Sequence, residues 1–244
     1  MHKIVISLIL VIFLFPEMYG QYITAEEKKQ LVESQIKNIE ENQKDLLYSK
    51  RPFLTGIHYF SNTTNTTHPY YQSKSWLPGK IIFENREYPV EALKYDIFKD
   101  YIIYYAHFTS AAFSTGLNKE FIKEFYLEDH RFKYLELTEN KPIFMQPGYY
   151  EIASEGNTRF VIKWSKEEII SSNYTIEYKP YTKMIIYSDG QYRRFSSQLK
   201  LLQILKDHKK ELKEYIRAKK LVFSSNKIAA AKQLVDYYNK LEDQ

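Results

Sequence analysis

The sequence predicts an α+β protein: a predominantly antiparallel β-sheet, curved or barrel-like, with an N-terminal helix and a C-terminal helical hairpin. Three observations carry this. Between residues 79 and 195, short runs of β-branched and aromatic residues follow one another with polar turn residues between them. That favours antiparallel pairing, because parallel strands need long crossovers. No long helical pattern alternates with these runs, which disfavours a doubly wound α/β sheet. After Ser196 the apolar residues recur at steps of three and four, the period of a helix lying on an apolar surface.

Taken in order, residues 1–20 read as a cleaved secretory signal. Met1-His2-Lys3 leads into the apolar run Ile4 to Phe15, then Pro16 and a more polar stretch to Gly20, with cleavage before Gln21. The run is short of the roughly 20 residues that a bilayer-crossing helix needs. Residues 21–50 read as an amphipathic helix or arm. Thr24 and Glu27 have capping-box spacing, and Leu31, Ile36, Ile39 and Leu46 form a narrow stripe.

Residues 51–195 form the β domain. A polar loop, Ser61 to Thr67, precedes the aromatic cluster His68-Pro69-Tyr70-Tyr71 and Trp76, and Asn62, Asn65 and Asn173 each head an N-x-Thr sequon. Strand-like runs follow at Lys80–Glu84 and Glu87–Val90 around Asn85-Arg86, at Leu93–Phe98 and Tyr101–Phe108 around Lys99-Asp100, and at Phe121–Leu127 and Phe132–Leu137. Tyr149–Ala153 and Arg159–Trp164 bracket Glu155-Gly156-Asn157, while Met184–Tyr187 and Gln191–Phe195 bracket Asp189-Gly190, the strongest hairpin signal in the chain. Residues 196–244 form the hairpin. Ser196 or Ser197 caps a helix carrying Leu201, Leu205, His208, Leu212 and Tyr215. Ser225 or Asn226 starts a second with Ile228, Ala231, Leu234, Val235, Tyr238 and Leu241.

Composition narrows the chemistry. The absence of cysteine excludes disulfides, thiolate metal sites and cysteine nucleophiles. The 23 tyrosines suit half-buried strands, where the ring packs and the hydroxyl reaches water. The net charge is +5, and the segment from Ser196 onward, with 11 basic against 6 acidic residues, accounts for all of it. Lys206, Lys209, Lys210, Lys213, Arg217, Lys219 and Lys220 lie mainly off the apolar stripe. Such residues make a solvated face or a contact for an acidic partner or anionic membrane surface. Nucleic acid ranks last, because no aromatics interleave with the basic face.

No serine-hydrolase elbow, phosphate loop or dinucleotide turn is present, and the histidines at 58, 68, 107, 130 and 208 lack metal-ligand spacing. No metal or cofactor is expected. Glu128-Asp129-His130 is the densest polar cluster, in a place where charged loop residues are normal. Asp96 and Asp100 are candidates for the paired carboxylates of a polysaccharide hydrolase, a chemistry that needs two acids within about 5–10 Å. Four residues of strand span about 13 Å, so this requires a turn between them. The simpler reading has Asp96 bonding backbone amides at a strand end and Asp100 serving the turn. Tyr59, Tyr70, Tyr71 and Trp76 form a candidate glycan-stacking platform, or merely cover a sheet edge.

The segments Gly79-Lys80-Ile81-Ile82-Phe83, Tyr88, Leu93-Lys94-Tyr95-Asp96-Ile97, Asp100 and Pro147-Gly148-Tyr149-Tyr150, with Lys200–Tyr215 and Tyr237-Tyr238-Asn239, resemble a group of uncharacterised exported proteins of Bacteroidota. The resemblance implies an envelope location and brings no activity or catalytic residue. The sequence thus points to a non-enzymatic exported protein, periplasmic or outer-membrane associated, that binds an envelope partner or glycan. The basic hairpin (Lys206, Lys209, Lys210, Lys213, Arg217 and Lys220) is its expected contact, and no catalytic residue is assigned. A polysaccharide hydrolase using Asp96, Asp100, Glu128 or Asp129 and a purely structural role are the alternatives.

Overall fold

Among the described residues eleven strands pair into one antiparallel sheet: β1 (Gly56–His58), β2 (Leu77–Phe83), β3 (Arg86–Asp96), β4 (Tyr101–Phe108), β5 (Ala111–Leu117), β6 (Glu124–Leu127), β7 (His130–Leu135), β8 (Gly148–Ser154), β9 (Arg159–Ile170), β10 (Ile176–Ser188) and β11 (Gln191–Phe195). Their order is β1-β5-β4-β3-β2-β6-β7-β8-β9-β10-β11. The computed structural model describes residues 26, 29–30, 32–35, 53, 56–59, 67–108, 111–137, 141–170 and 175–243. The expected signal segment, most of the 21–50 arm and the asparagines of all three sequons lie outside them. Residues 1–50 form a unit separate from 51–244, and within it residues 26, 29–30 and 32–35 are helical and exposed. Among the described residues no helix is long and apolar enough to cross a membrane.

Tight turns connect most of the strands. Glu84 and Asn85 have φ of +49° and +60°, and Asp189 and Gly190 have +51° and +72°. Two successive positive φ values give a turn whose twist matches that of the flanking strands. The first turn falls one residue earlier than the sequence suggests. The runs at 87–90 and 93–98 merge into the single strand β3, and β1 and β5 add to the predicted set.

The sheet is open in its pairing but strongly curled. β3 and β9 stand five places apart, which in a flat sheet is about 24 Å at about 4.8 Å per strand. Even so, Lys163 of β9 donates to Asp100, in the turn after β3, at 2.7 Å. Tyr95 of β3 packs within 5.1–6.0 Å of the rings of Phe125 on β6, Phe132 on β7 and Tyr149 on β8. A cross-strand row on this inner face runs Phe125, Phe132, Glu151, Ile162, Met184 and Phe195, each paired to the next. Gly148 sits where the curl closes: a Cβ there would lie 2.4 Å from the Asp100 carboxylate, so only glycine admits that approach.

The C-terminal helices cover the β8–β11 end of the same face. The expected first helix is broken at Leu205 (φ −90°, ψ 50°) into α1 (Gln198–Ile204), a 3-10 turn (Lys206–His208) and α2 (Lys209–Ala218), and α3 (Lys227–Glu242) follows. Ser197 and Asn226 cap α1 and α3 by accepting from Lys200 N–H and Ala229 N–H. Leu201, Leu205, Leu212, Leu234 and Val235 are buried against Phe160, Ile162, Ile186 and Phe195. Each such side chain contributes about 1.5–3 kcal/mol. Asn239 of α3 pins the β8–β9 turn, accepting from Thr158 N–H at 3.0 Å and donating to Thr158 C=O at 2.8 Å.

Candidate ligand-binding site

The segment from Thr67 to Trp76 lies between the two remote parts of the curl. Tyr70 bridges Asp96 at the end of β3, Tyr71 N–H donates to Tyr95 C=O at 2.8 Å, and Ile97 N–H donates to Pro69 C=O at 3.0 Å. From the other side, Lys166 of β9 donates to the His68 and Tyr70 carbonyls at 2.6 and 2.9 Å, and Tyr178 N–H of β10 donates to the Thr67 hydroxyl at 2.9 Å. Extended backbone sends successive side chains to opposite sides, so Tyr70 and Tyr71 part company here.

Tyr70 faces a cavity of about 270 Å³ lined by Tyr59, Tyr70, Lys74, Trp76, Lys94, Ile103 and Ser114. Tyr70 is 4% exposed and Tyr59 and Trp76 are half-buried. The Lys94 ammonium lies over the Trp76 ring at 4.2 Å and the Tyr70 ring at 4.6 Å. Burial pulls its pKa below the ordinary lysine value, and no carboxylate opposes the shift. The Tyr59 hydroxyl donates to Asp96, and burial, reinforced by Asp96, pushes its pKa up. His68, whose Nδ1 accepts from Tyr70 N–H at 3.2 Å, is pulled down to about 4 by burial and by Lys166, Lys74 and Lys94. It is therefore neutral at neutral pH.

Tyr71, 2% exposed, leaves this group and enters the core, its ring 5.2 Å from Phe132 and Trp164 and 5.5 Å from His130. There it meets a polar cluster absent from the sequence reading. Glu151, 6% exposed, accepts from Trp164 Nε1–H at 2.5 Å, from the Tyr71 hydroxyl at 3.5 Å and from His130 Nδ1 at 2.7 Å. The Glu151 hydrogen bond raises the His130 pKa against the lowering effect of burial. A buried carboxylate so satisfied ties β7, β8 and β9 to the Tyr71 segment, and Gln72 closes the outer side of His130 at 3.3 Å.

Of the acids considered for hydrolysis, Asp96 and Asp100 hold donors of the neighbouring chain. Asp96, wholly buried, accepts from Phe98 N–H and Lys99 N–H at 2.9 Å and from the Tyr59 hydroxyl. Asp100 accepts from the Tyr95 hydroxyl at 2.5 Å, Lys163 at 2.7 Å and Tyr149 N–H at 3.3 Å. Glu128 and Asp129 are exposed in the β6–β7 turn. Among the described residues no three of His, Asp and Glu converge on a metal-sized site. Lys206, Lys209, Lys210, Lys213, Arg217 and Lys220 are all exposed. Lys206 also borders a cleft of about 420 Å³ with Arg193, Lys200, Asp189 and Asp207.

No family model, curated protein or solved structure matches this chain. A neutral aromatic wall with a fixed ammonium can hold a ring-shaped ligand by stacking and hydrogen bonding.

Proposed function

We propose that this chain is a non-enzymatic exported protein, periplasmic or outer-membrane associated, that binds a glycan ring in the Tyr59–Tyr70–Trp76 cavity. The observation that supports this is the convergence of those three rings, from two segments of the chain, on one cavity of about 270 Å³. Aromatic faces with polar edges suit a sugar ring, and the cavity lies near the small end of ligand sites, the size of one ring and not of a long chain.

Trp76 is one of two tryptophans, so a Trp164→Phe background isolates its fluorescence. Titration with short oligosaccharides, selected on a glycan array, is expected to shift Trp76 emission saturably, and Tyr59→Ala is expected to weaken binding at least about tenfold. Array binding that survives both Trp76→Ala and Tyr59→Ala would remove the cavity from the function.

A second reading, docking of an acidic envelope partner on the basic helices, is favoured by one observation. Lys209, Lys210, Lys213 and Arg217 are exposed on the helix whose opposite side buries Leu212 and Ile216. Its test is capture of a partner from solubilised envelopes by the wild type and loss of that partner when these four residues are changed to Glu.

A further inference from the structure

We infer that the sugar ring bound in this cavity is anionic, carrying a carboxylate or sulfate group. This rests on the cavity being the ligand site and specifies what occupies it.

The charge of the lining is one-sided. Lys74 and Lys94 are its basic members, and among the described residues no acidic side chain lines it. The acid in closest sequence to Lys94, Asp96, is wholly buried, its oxygens taken by two backbone N–H groups and the Tyr59 hydroxyl. Around the cavity the further charges are also lysines. Lys99 stands over the Tyr59 ring at 5.2 Å, and Lys166 is held behind Tyr70 by the His68 and Tyr70 carbonyls.

The position of Lys94 makes the stronger point. Its contacts are two ring faces, at 4.2 and 4.6 Å. These hold the ammonium in place but leave its N–H donors without an oxygen acceptor from the protein among the described residues. A partly desolvated ammonium in that condition gains a charge-assisted hydrogen bond when an anionic ligand oxygen enters. Tyr59 and Trp76, which are half-buried, provide apolar surface for the rest of the sugar. A neutral sugar would use the rings and leave the ammonium without an anion.

The test compares binding, by calorimetry on the purified chain, of a short oligouronate, its methyl ester and a matched oligosaccharide bearing a sulfate. The oligouronate or the sulfated sugar is expected to bind at least about tenfold more tightly than the methyl ester, with the preference shrinking as salt is raised. The tighter of the two anions identifies the acidic group. Lys94→Met, which keeps an apolar stem against both rings, is expected to reduce the preference to about twofold or less while methyl-ester binding persists. Lys94→Arg is expected to retain the preference.

Methyl ester binding within about twofold of both anions would overturn the anionic assignment and leave the cavity reading standing. A preference undiminished in Lys94→Met would also overturn it. Absence of binding by all three sugars would overturn the cavity reading and this inference together.

Discussion

Replacing Asp100 with Asn tests the clasp that holds the curl closed. Asp100 has φ +60°, a conformation asparagine adopts as readily as aspartate, so the substitution removes charge and leaves the turn alone. It leaves the Lys163 ammonium, whose side chain is 14% exposed, without its carboxylate at 2.7 Å. Stranding one partner of a buried pair costs about 3–5 kcal/mol. Lys163 keeps a bond to Tyr149 C=O at 3.0 Å, so a loss near the lower end, about 3 kcal/mol, is expected. That is a large part of the 5–15 kcal/mol typical of a domain.

The pH dependence adds a second check on the same variant. Burial holds the Lys163 pKa below its ordinary 10.5, and Asp100 opposes that shift. Without Asp100 the folded-state pKa falls further. Between it and the unfolded value the unfolded chain binds more protons, so stability rises with pH there. The deficit measured by urea unfolding, followed by near-ultraviolet circular dichroism, is therefore expected to narrow between about pH 7 and pH 9.5. Adding Lys163→Met should recover most of it, because an apolar replacement of a buried pair is often neutral. A deficit below about 1 kcal/mol at pH 7, or one that widens towards pH 9.5, would refute the clasp.

Three smaller predictions concern the helices and the Glu151 cluster. Asn239→Ala leaves the buried Thr158 N–H without its acceptor at 3.0 Å, and chemical denaturation should register a loss of about 1–3 kcal/mol. Lys220, at φ +51° just past α2, occupies a left-handed position that glycine adopts without strain, so Lys220→Gly should gain about 0.5–1 kcal/mol by thermal or urea unfolding. The His130 pKa is raised above 6.5 by Glu151. Its stabilisation is therefore complete below the unfolded value and is lost as pH rises through the folded value. The stability difference between wild type and His130→Gln should be larger at pH 5.5 than at pH 8.5, and a pH-independent difference would count against the pairing.

What the sequence revealed was whatever local chemistry dictates. Asp189-Gly190 announces its turn because positive φ is cheap for those residue types. Ser197 and Asn226 announce helix starts because their side chains supply an acceptor. The strand β5, with Ala111, Ala112, Ser114 and Gly116, escaped notice because small residues show no alternation, and its pairing with β4 is what fixes it. The break at Leu205 escaped for a different reason. Leu201, Leu205 and Leu212 are all buried, so the apolar stripe runs through the break unchanged. A stripe reports which side chains reach the core and is silent about the backbone that brings them there.

The polar ties lie further from local reach, since Asp100 and Lys163 are 63 residues apart and His130 and Glu151 are 21 apart. Glu151 nevertheless left a trace in the strand Tyr149-Tyr150-Glu151-Ile152-Ala153. Alternation puts Tyr149 and Ala153 on one face and Tyr150 and Ile152 on the other, so both faces are apolar and the glutamate stands in a row with nowhere wet to go. A charge in such a place has to find donors, and Trp164, His130 and Tyr71 are those donors. The same rule of two separates Tyr70 from Tyr71. Grouping four aromatics by nearness in sequence overlooked that neighbours on extended chain face apart, and applying the alternation first would have kept Tyr70 and Tyr71 out of one platform.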